Sequence, residues 1–311
     1  MRQIRKRKAF LVFLNVRGSK LIISASRRTD LPAFFGEWFK RRVEEKKFVS
    51  VNPFNPKQRK EISLEVEDVD AFIFWSKNPE PFLKYLPIID NYSFYFQFTL
   101  NNYPKIFEPN LPSFGKRVDT FKKLSDIISP ARVILRYDPI ILSNKTDYSY
   151  HLEAIDQILS TLTMYTKTLM VSFVTPYKKI QKRMNIIEQK QDLVFQTPLS
   201  EEVKDFACKL AGIRKLYNIK VNSCSESMFE GTEIQKGCCI DGDLINEIKG
   251  TDFKFKKDSN QRAGCGCVKS VDMGIYNTCS FNCAYCYANY TSSGVIKNLK
   301  RYDPTNRSLL S

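Results

Sequence analysis

The chain has 311 residues, 43% hydrophobic and 13% aromatic, and its 49 Lys and Arg against 33 Asp and Glu leave a net charge of +16. That length suits one large domain or two small ones, and no apolar run approaches the roughly 18 residues of a membrane-spanning helix, so a membrane partner is not expected. Excess positive charge attracts polyanions and anionic substrates, but no helix-turn-helix or RNP-type motif is visible, so nucleic acid is suggested by charge alone.

Met1 to Lys20 carries Arg2, Arg5, Lys6, Arg7 and Lys8 ahead of a short apolar stretch interrupted by Asn15. No small-residue cleavage pattern follows, so the segment reads as a basic extension or first strand rather than a secretion signal. From there, short β-rich runs alternate with segments of helical periodicity. In chain order the expected elements are a strand Leu21–Ser26 and a helix Pro32–Lys47 with Asp30 as N-cap. Strands Ala71–Trp75 and Ser93–Thr99 come next, then a helix Ser113–Ile128 that stops before Pro130. A strand Arg132–Tyr137, a helix Thr146–Thr163, a strand Leu169–Phe173 and a helix Leu199–Tyr217 continue the alternation. Strands Ile219–Ser223 and Val271–Tyr276 complete it. The pattern predicts a parallel sheet with helical crossovers. Residues 21–304 are read as one domain, with 224–290 carrying most cysteines and 305–311 as a C-terminal tail.

Two architectures fit this pattern, a whole or partial (β/α) TIM-like barrel and an open doubly wound sheet. Nearly every expected strand ends in polar residues: Arg27, Arg28 and Asp30; Ser76, Lys77 and Asn78; Gln97 and Thr99; Arg136 and Asp138; Cys224 and Glu226. A barrel builds its site from the C-terminal ends of many strands, whereas an open sheet concentrates its site at one switch point. The barrel is therefore preferred. No glycine-rich phosphate loop argues for a dinucleotide fold.

Eight of the nine cysteines lie after position 220. Such clustering points to metal rather than to disulfides spread through a secreted protein, and a reducing cytoplasm is the expected compartment. His151 is the only histidine; it is read as a surface residue at a helix start, and it excludes any histidine triad or histidine-rich metal site. Cys208, on a helix face, is read as simply buried.

The segment Cys279-Ser280-Phe281-Asn282-Cys283-Ala284-Tyr285-Cys286 has the form C-x3-C-x2-C with an aromatic before the third cysteine. A cubane iron–sulfur cluster usually takes one thiolate per iron. Three ligands in a compact loop leave one iron open; a zinc knuckle or unrelated buried thiols are the plainer readings. The motif resembles that of radical S-adenosylmethionine (SAM) enzymes. The resemblance implies a [4Fe–4S] cluster on Cys279, Cys283 and Cys286, SAM chelated at the open iron, and an electron donor such as flavodoxin or ferredoxin.

The stretches Ile22 to Asp30, Asn52-Pro53-Phe54-Asn55-Pro56, Phe74 to Pro79, Arg136-Tyr137-Asp138-Pro139 and Cys265-Gly266-Cys267 resemble a bacterial family known as domain of unknown function 1848, over roughly residues 21–304. That family has no assigned reaction, so the resemblance supplies a fold and a cofactor but leaves the substrate unknown. The Arg136 to Pro139 stretch is also weakly similar to one in spore photoproduct lyases. Radical-SAM enzymes usually carry the cysteine loop after the first strand, and here it follows the last. A permuted order preserves the site only if the last strand lies parallel beside the first, and no Gly-Gly-Glu element follows the second strand.

Cys224, Cys239, Cys265 and Cys267 form a second candidate set, four thiolates for an auxiliary iron–sulfur cluster or a structural zinc, with Cys238 to spare. Arg27, Arg28, Asp30, Arg136 and Asp138 are the candidate catalytic residues, each alternatively a brace of the sheet rim. Lys77, Gln97, Thr99 and Glu226 are candidate SAM or substrate contacts. The rival reading is a non-catalytic, metal-stabilised nucleic-acid-binding protein, because 15 residues separate Cys267 from Cys283, near zinc-ribbon spacing.

Overall fold

The computed structural model describes residues 20–310 apart from 176, 225 and 263. The basic segment Met1 to Lys20 therefore lies outside the described residues except for Lys20. The chain opens with β1 (Leu21–Ala25), α1 (Leu31–Phe34) and α2 (Gly36–Glu44), then a hairpin of β2 (Lys47–Asn52) and β3 (Asn55–Ser63). It continues through β4 (Val69–Ser76), β5 (Phe94–Thr99), α3 (Phe114–Ile128), β6 (Val133–Ile140), α4 (Tyr148–Leu162) and β7 (Thr168–Phe173). Next are α5 (Lys178–Gln191), α6 (Ser200–Tyr217), β8 (Lys220–Cys224), β9 (Gln235–Gly237), α7 (Gly242–Lys249), β10 (Val271–Asp272) and α8 (Ser292–Leu299).

Eight strands form one parallel sheet in the order β10-β1-β4-β5-β6-β7-β8-β9. From β1 to β9 the order follows the chain with no reversal, so the central switch point of a doubly wound sheet is missing. Among the described residues β9 and β10 stand at opposite ends of the order and do not pair.

Side chains alternate across the sheet with the period of two that extended backbone imposes. On one face Phe72, Phe74, Phe94, Phe96, Phe98, Val133 and Leu135 join the main core. Phe39 of α2 meets both Phe72 and Phe74 at 5.4 Å, and Phe121 of α3 meets Phe98 at 5.0 Å. On the other face Ala71, Ile73, Tyr95, Ile134 and Met170 pack with Ile240, Ile245 of α7 and Cys239, Cys265 and Cys267. Both faces are thus covered, as a parallel sheet requires.

The last strand does lie parallel beside the first, with Ile23 opposite Val271 and Ser24 opposite Asp272. It is a two-residue strand rather than the expected Val271–Tyr276. The expected helix Pro32–Lys47 is split at Phe35, whose φ of −130° and ψ of 26° break the helical run. Asp30 caps its first part as expected, accepting from the Ala33 amide at 3.1 Å. The hairpin, α5, β9, α7 and α8 have no counterpart among the expected elements.

Two residues reverse their expected exposure. His151 is fully buried, because it shares the apolar stripe of α4 with Ala154, Ile155 and Ile158. Its Nδ1 lies 2.8 Å from the Tyr137 hydroxyl and its Nε2 3.0 Å from the Ile141 carbonyl. Cys208 is exposed, since Val203, Phe206, Ala207 and Leu210 define the buried stripe of α6 and leave it outside. Residues 305–310 run back over the fold, where the Asn306 carbonyl accepts from Trp38 Nε1 at 2.8 Å and Leu309 is buried. Among the described residues no helix is long and apolar enough to cross a membrane.

Candidate functional site

The C-terminal ends of the strands open on a cavity of about 500 Å³. Arg27, Arg28 and Asp30 enter it from the end of β1, Lys77 from β4, Thr99 from β5, Arg136 and Asp138 from β6, and Cys224 and Glu226 from β8. Cys239, Cys265, Cys267, Cys279, Cys283 and Cys286 line the same space. Both expected cysteine sets therefore face one cavity. Gln97 does not reach it. That residue is buried, donating to the Cys239 carbonyl at 2.9 Å and accepting from Arg136 Nη1 at 3.1 Å.

The loop Cys279 to Cys286 is held from several sides. The Ala284 amide donates to the Phe107 carbonyl at 2.9 Å, and Asn289 donates to the Cys279 carbonyl at 2.7 Å. Phe281 packs on Phe34 with ring centroids 4.6 Å apart. The Arg183 guanidinium donates to the Cys286 carbonyl. Two residues on, the Tyr287 hydroxyl donates to the Arg27 carbonyl at 2.8 Å, tying this region to the end of β1. The Tyr285 hydroxyl donates to the Glu108 carboxylate, which also takes Lys77 Nζ at 2.9 Å. Burial pushes Glu108 upward, yet the Lys77 and Arg117 cations outweigh it and hold the carboxyl below its usual value. Burial raises the Cys283 thiol to about 12 and Cys279 well above its ordinary value, with the nearby Asp30 adding to the latter.

The second set is a chain of sulfurs. Cys224 Sγ is 3.0 Å from Cys239 Sγ, and Cys267 hydrogen-bonds both Cys239 and Cys265. Arg136 Nη1 donates to Cys239 Sγ at 3.0 Å, while its other terminal nitrogen pairs with Asp138. Ser172 also donates to Asp138. Hydrogen bonds from Cys224 and Cys267, assisted by the Arg136 guanidinium, hold Cys239 well below the usual thiol value despite its burial. Arg136 and Asp138 thus form the ion pair that the brace reading expects, and both also line the cavity.

Asp30 is likewise held by neighbours while lining the cavity. It accepts from the Ser76 hydroxyl and the Lys77 amide, both at 2.7 Å, and burial raises it to about 6 against those bonds. Burial likewise lifts Glu226 to about 7, opposed by Arg262. Asp272, which the sequence did not single out, accepts from Ser24 at 2.8 Å, from Ser26, and from the Arg27 and Gly274 amides at 3.0 and 2.8 Å. It fixes the turn that presents Arg27 and Arg28. Its position opposite Ser24 across 248 residues of sequence left no local signal.

Among the described residues no group of three or more His, Cys, Asp or Glu side chains is gathered tightly enough to hold a single metal ion. The Cys265–Cys267 pair packs with the inner-face cluster, and Cys283 and Cys286 with another.

The family described as domain of unknown function (DUF1848) matches residues 22–288. The chain belongs to this family. No curated protein and no solved structure matches it. The match ends just past the three-cysteine loop, so this DUF1848 chain holds both cysteine sets and, apart from Leu21 at the start of β1, every strand of the parallel sheet within the matched segment.

Proposed function

We propose that this DUF1848 protein is a radical-SAM-like iron–sulfur enzyme whose chemistry occurs in the cavity at the strand ends. The observation that carries the reading is that the C-x3-C-x2-C loop and the C-terminal ends of β1, β4, β6 and β8 line one cavity. The architecture proposed is a partial (β/α) barrel, open between β9 and β10, with the cluster loop permuted to the last strand.

The donor set fits the group. Cys279, Cys283 and Cys286 offer sulfur alone, which suits an iron–sulfur cluster. A cubane spreads its thiolates over separate irons, so it does not need them gathered about one point as a single ion does. Three cysteines would hold a [4Fe–4S] cluster and leave one iron for SAM. When bound, the cluster would supply the electron that cleaves SAM. Cys224, Cys239, Cys265 and Cys267 would hold an auxiliary cluster with every iron satisfied, the buried Arg136 offsetting part of its negative charge.

The chain's own residues bind and position. Arg27 and Arg28 present cations suited to a carboxylate or phosphate. Asp272 and Tyr287 hold the turn that carries Arg27. Lys77 pairs with Glu108 at 2.9 Å, and Asp30 accepts from its backbone amide. The covered sheet face below the cavity limits water, as a reactive intermediate requires. Electrons would come from a flavodoxin- or ferredoxin-type donor in a reducing cytoplasm, where thiols stay reduced.

The test is anaerobic reconstitution with iron and sulfide, reduction, and assay of 5′-deoxyadenosine from SAM. Reconstituted protein with both sets filled and reduced that forms no 5′-deoxyadenosine would overturn the reading.

A further inference from the structure

Beside the main cavity lies a second one of about 280 Å³, and the two share Arg28 and Tyr276 as wall residues. Its far wall is the β2–β3 hairpin, through Pro53, Pro56 and Arg59. Three arginines, Arg28, Arg59 and Arg301, line it, and among the described residues no acidic side chain does. A lining with three arginines is a local composition that draws phosphate.

Aromatic faces alternate with these cations. Tyr276 and Tyr290 stand 6.4 Å apart, edge to face. The Arg28 guanidinium lies 5.5 Å from the Tyr276 ring, and Lys179 Nζ lies 4.3 Å from the Tyr290 ring. Between Pro53 and Pro56, at the tip of the hairpin, Phe54 is 92% exposed, the most exposed large hydrophobic side chain among the described residues. Lys57, Arg59 and Lys60 follow it on the exposed strand β3.

We infer that the hairpin and the second cavity bind a single-stranded segment of nucleic acid, with phosphates on the arginines and bases stacked on the tyrosines and Phe54. Cations alone would suit any polyanion. The exposed aromatics beside them add flat faces that bases use and carboxylates do not. The shared Arg28 and Tyr276 wall makes the second cavity the approach to the first, so a nucleotide of the strand is the substrate class delivered there. This last step rests on the proposed function; the binding surface does not.

The experiment is fluorescence anisotropy on the full-length protein with a single-stranded oligodeoxynucleotide, an oligoribonucleotide and inorganic polyphosphate, each over a range of salt. The wild type is expected to bind an oligonucleotide more tightly than polyphosphate of equal charge, and the two oligonucleotide arms separate DNA from RNA. Phe54→Ala should weaken oligonucleotide binding about tenfold and leave polyphosphate unaffected. Arg59→Gln should weaken both and lower the slope of log K against log salt by about one. Lys123→Gln, on exposed α3 surface, serves as the charge control and should change neither. Both test residues sit on the exposed hairpin, so folding is not at stake. Equal binding of all three polyanions with no loss in Phe54→Ala, or no binding at all, overturns the inference. 5′-Deoxyadenosine is measured on the same reduced preparation: its formation without oligonucleotide binding discards the surface alone, and binding without it supports the surface while the proposed function falls.

Discussion

Cys279, Cys283 and Cys286 sit on a single loop after β10, whereas Cys224, Cys239, Cys265 and Cys267 are drawn from the end of β8, the segment after β9 and the turn before β10. Chain connectivity alone keeps the first three close. The other four meet only because β8 pairs with β9, Cys224 opposite Gly237, and because the inner sheet face takes up the following segment. Their surroundings differ too. A guanidinium contacts a sulfur of the second set, through Arg136 and Cys239, while at the first loop Arg183 meets a backbone carbonyl of Cys286. A short motif therefore needs little from the fold beyond a place to be set down. A dispersed set inherits every error in sheet register.

The largest expected effect separates the two directly. Replacing Cys279, Cys283 or Cys286 with Ala should abolish 5′-deoxyadenosine formation while circular dichroism shows a folded chain. Replacing Cys265 or Cys267 should remove only the iron of the second set. Equal iron loss from both kinds of variant would mean one shared site.

Arg136→Met should cost about 2 kcal/mol, since it removes a buried guanidinium that bonds three partners and leaves the partly exposed Asp138 without its cation. Arg136 is 5% exposed and braces Asp138, Gln97 and Cys239. Urea unfolding of the reduced apo-protein measures the loss, and a change below about 1 kcal/mol would show that the guanidinium does not brace the second set.

The aromatic wall beside the first loop carries a pH dependence. Tyr285 meets Tyr103, and Tyr103 meets His151, with ring centroids 6.2 and 6.0 Å apart. Burial lowers His151 from 6.5 to about 4. The unfolded chain takes up that proton near 6.5 and the folded one resists it until about 4, so the unfolded state binds more protons in this window. Stability should accordingly fall by up to roughly 3 kcal/mol as pH drops from about 6.5 to about 4. His151→Gln should flatten that part of the profile. An unchanged slope in the variant would assign the acid sensitivity to carboxylates instead.

Two glycines test the regions at smaller cost. A Cβ at Gly237 would stand 2.7 Å from Asn222 Cβ, and one at Gly274 would stand 2.6 Å from Ser26 Cβ. Each Ala variant should lose about 2 kcal/mol by overpacking. Gly237→Ala should lower iron in the second set, and Gly274→Ala should lower SAM turnover by disturbing the Asp272 turn. If both lose the same iron, the two regions are not independent. The smallest effect belongs to Cys208→Ser, which should stay within about 0.5 kcal/mol with unchanged iron content; a larger loss in thermal unfolding would contradict its exposed place on α6.

Much of the fold was legible because its signals are short-range. Alternation within β4, β5 and β6, the apolar stripes of α3, α4 and α6, and the Asp30 cap each depend on neighbours within a turn or a strand. The same spacing rule places His151 inside, since it lies three and four residues before Ala154 and Ile155, although its polar ring near the helix start resembles a surface residue. The β2–β3 hairpin escaped because β3 is exposed over most of its length and shows no apolar alternation.

The sequence by itself determined a parallel α/β sheet with polar strand ends and a compact three-thiol loop, because both follow from periodicity and from spacing within a few residues. Only the tertiary structure decided that β10 pairs beside β1, that Asp272 anchors the turn bearing Arg27, and that Cys224 and Cys239 approach within 3.0 Å. Those contacts join residues far apart in the chain, and their partners are selected by strand register and by which face each side chain takes, neither of which a local pattern contains.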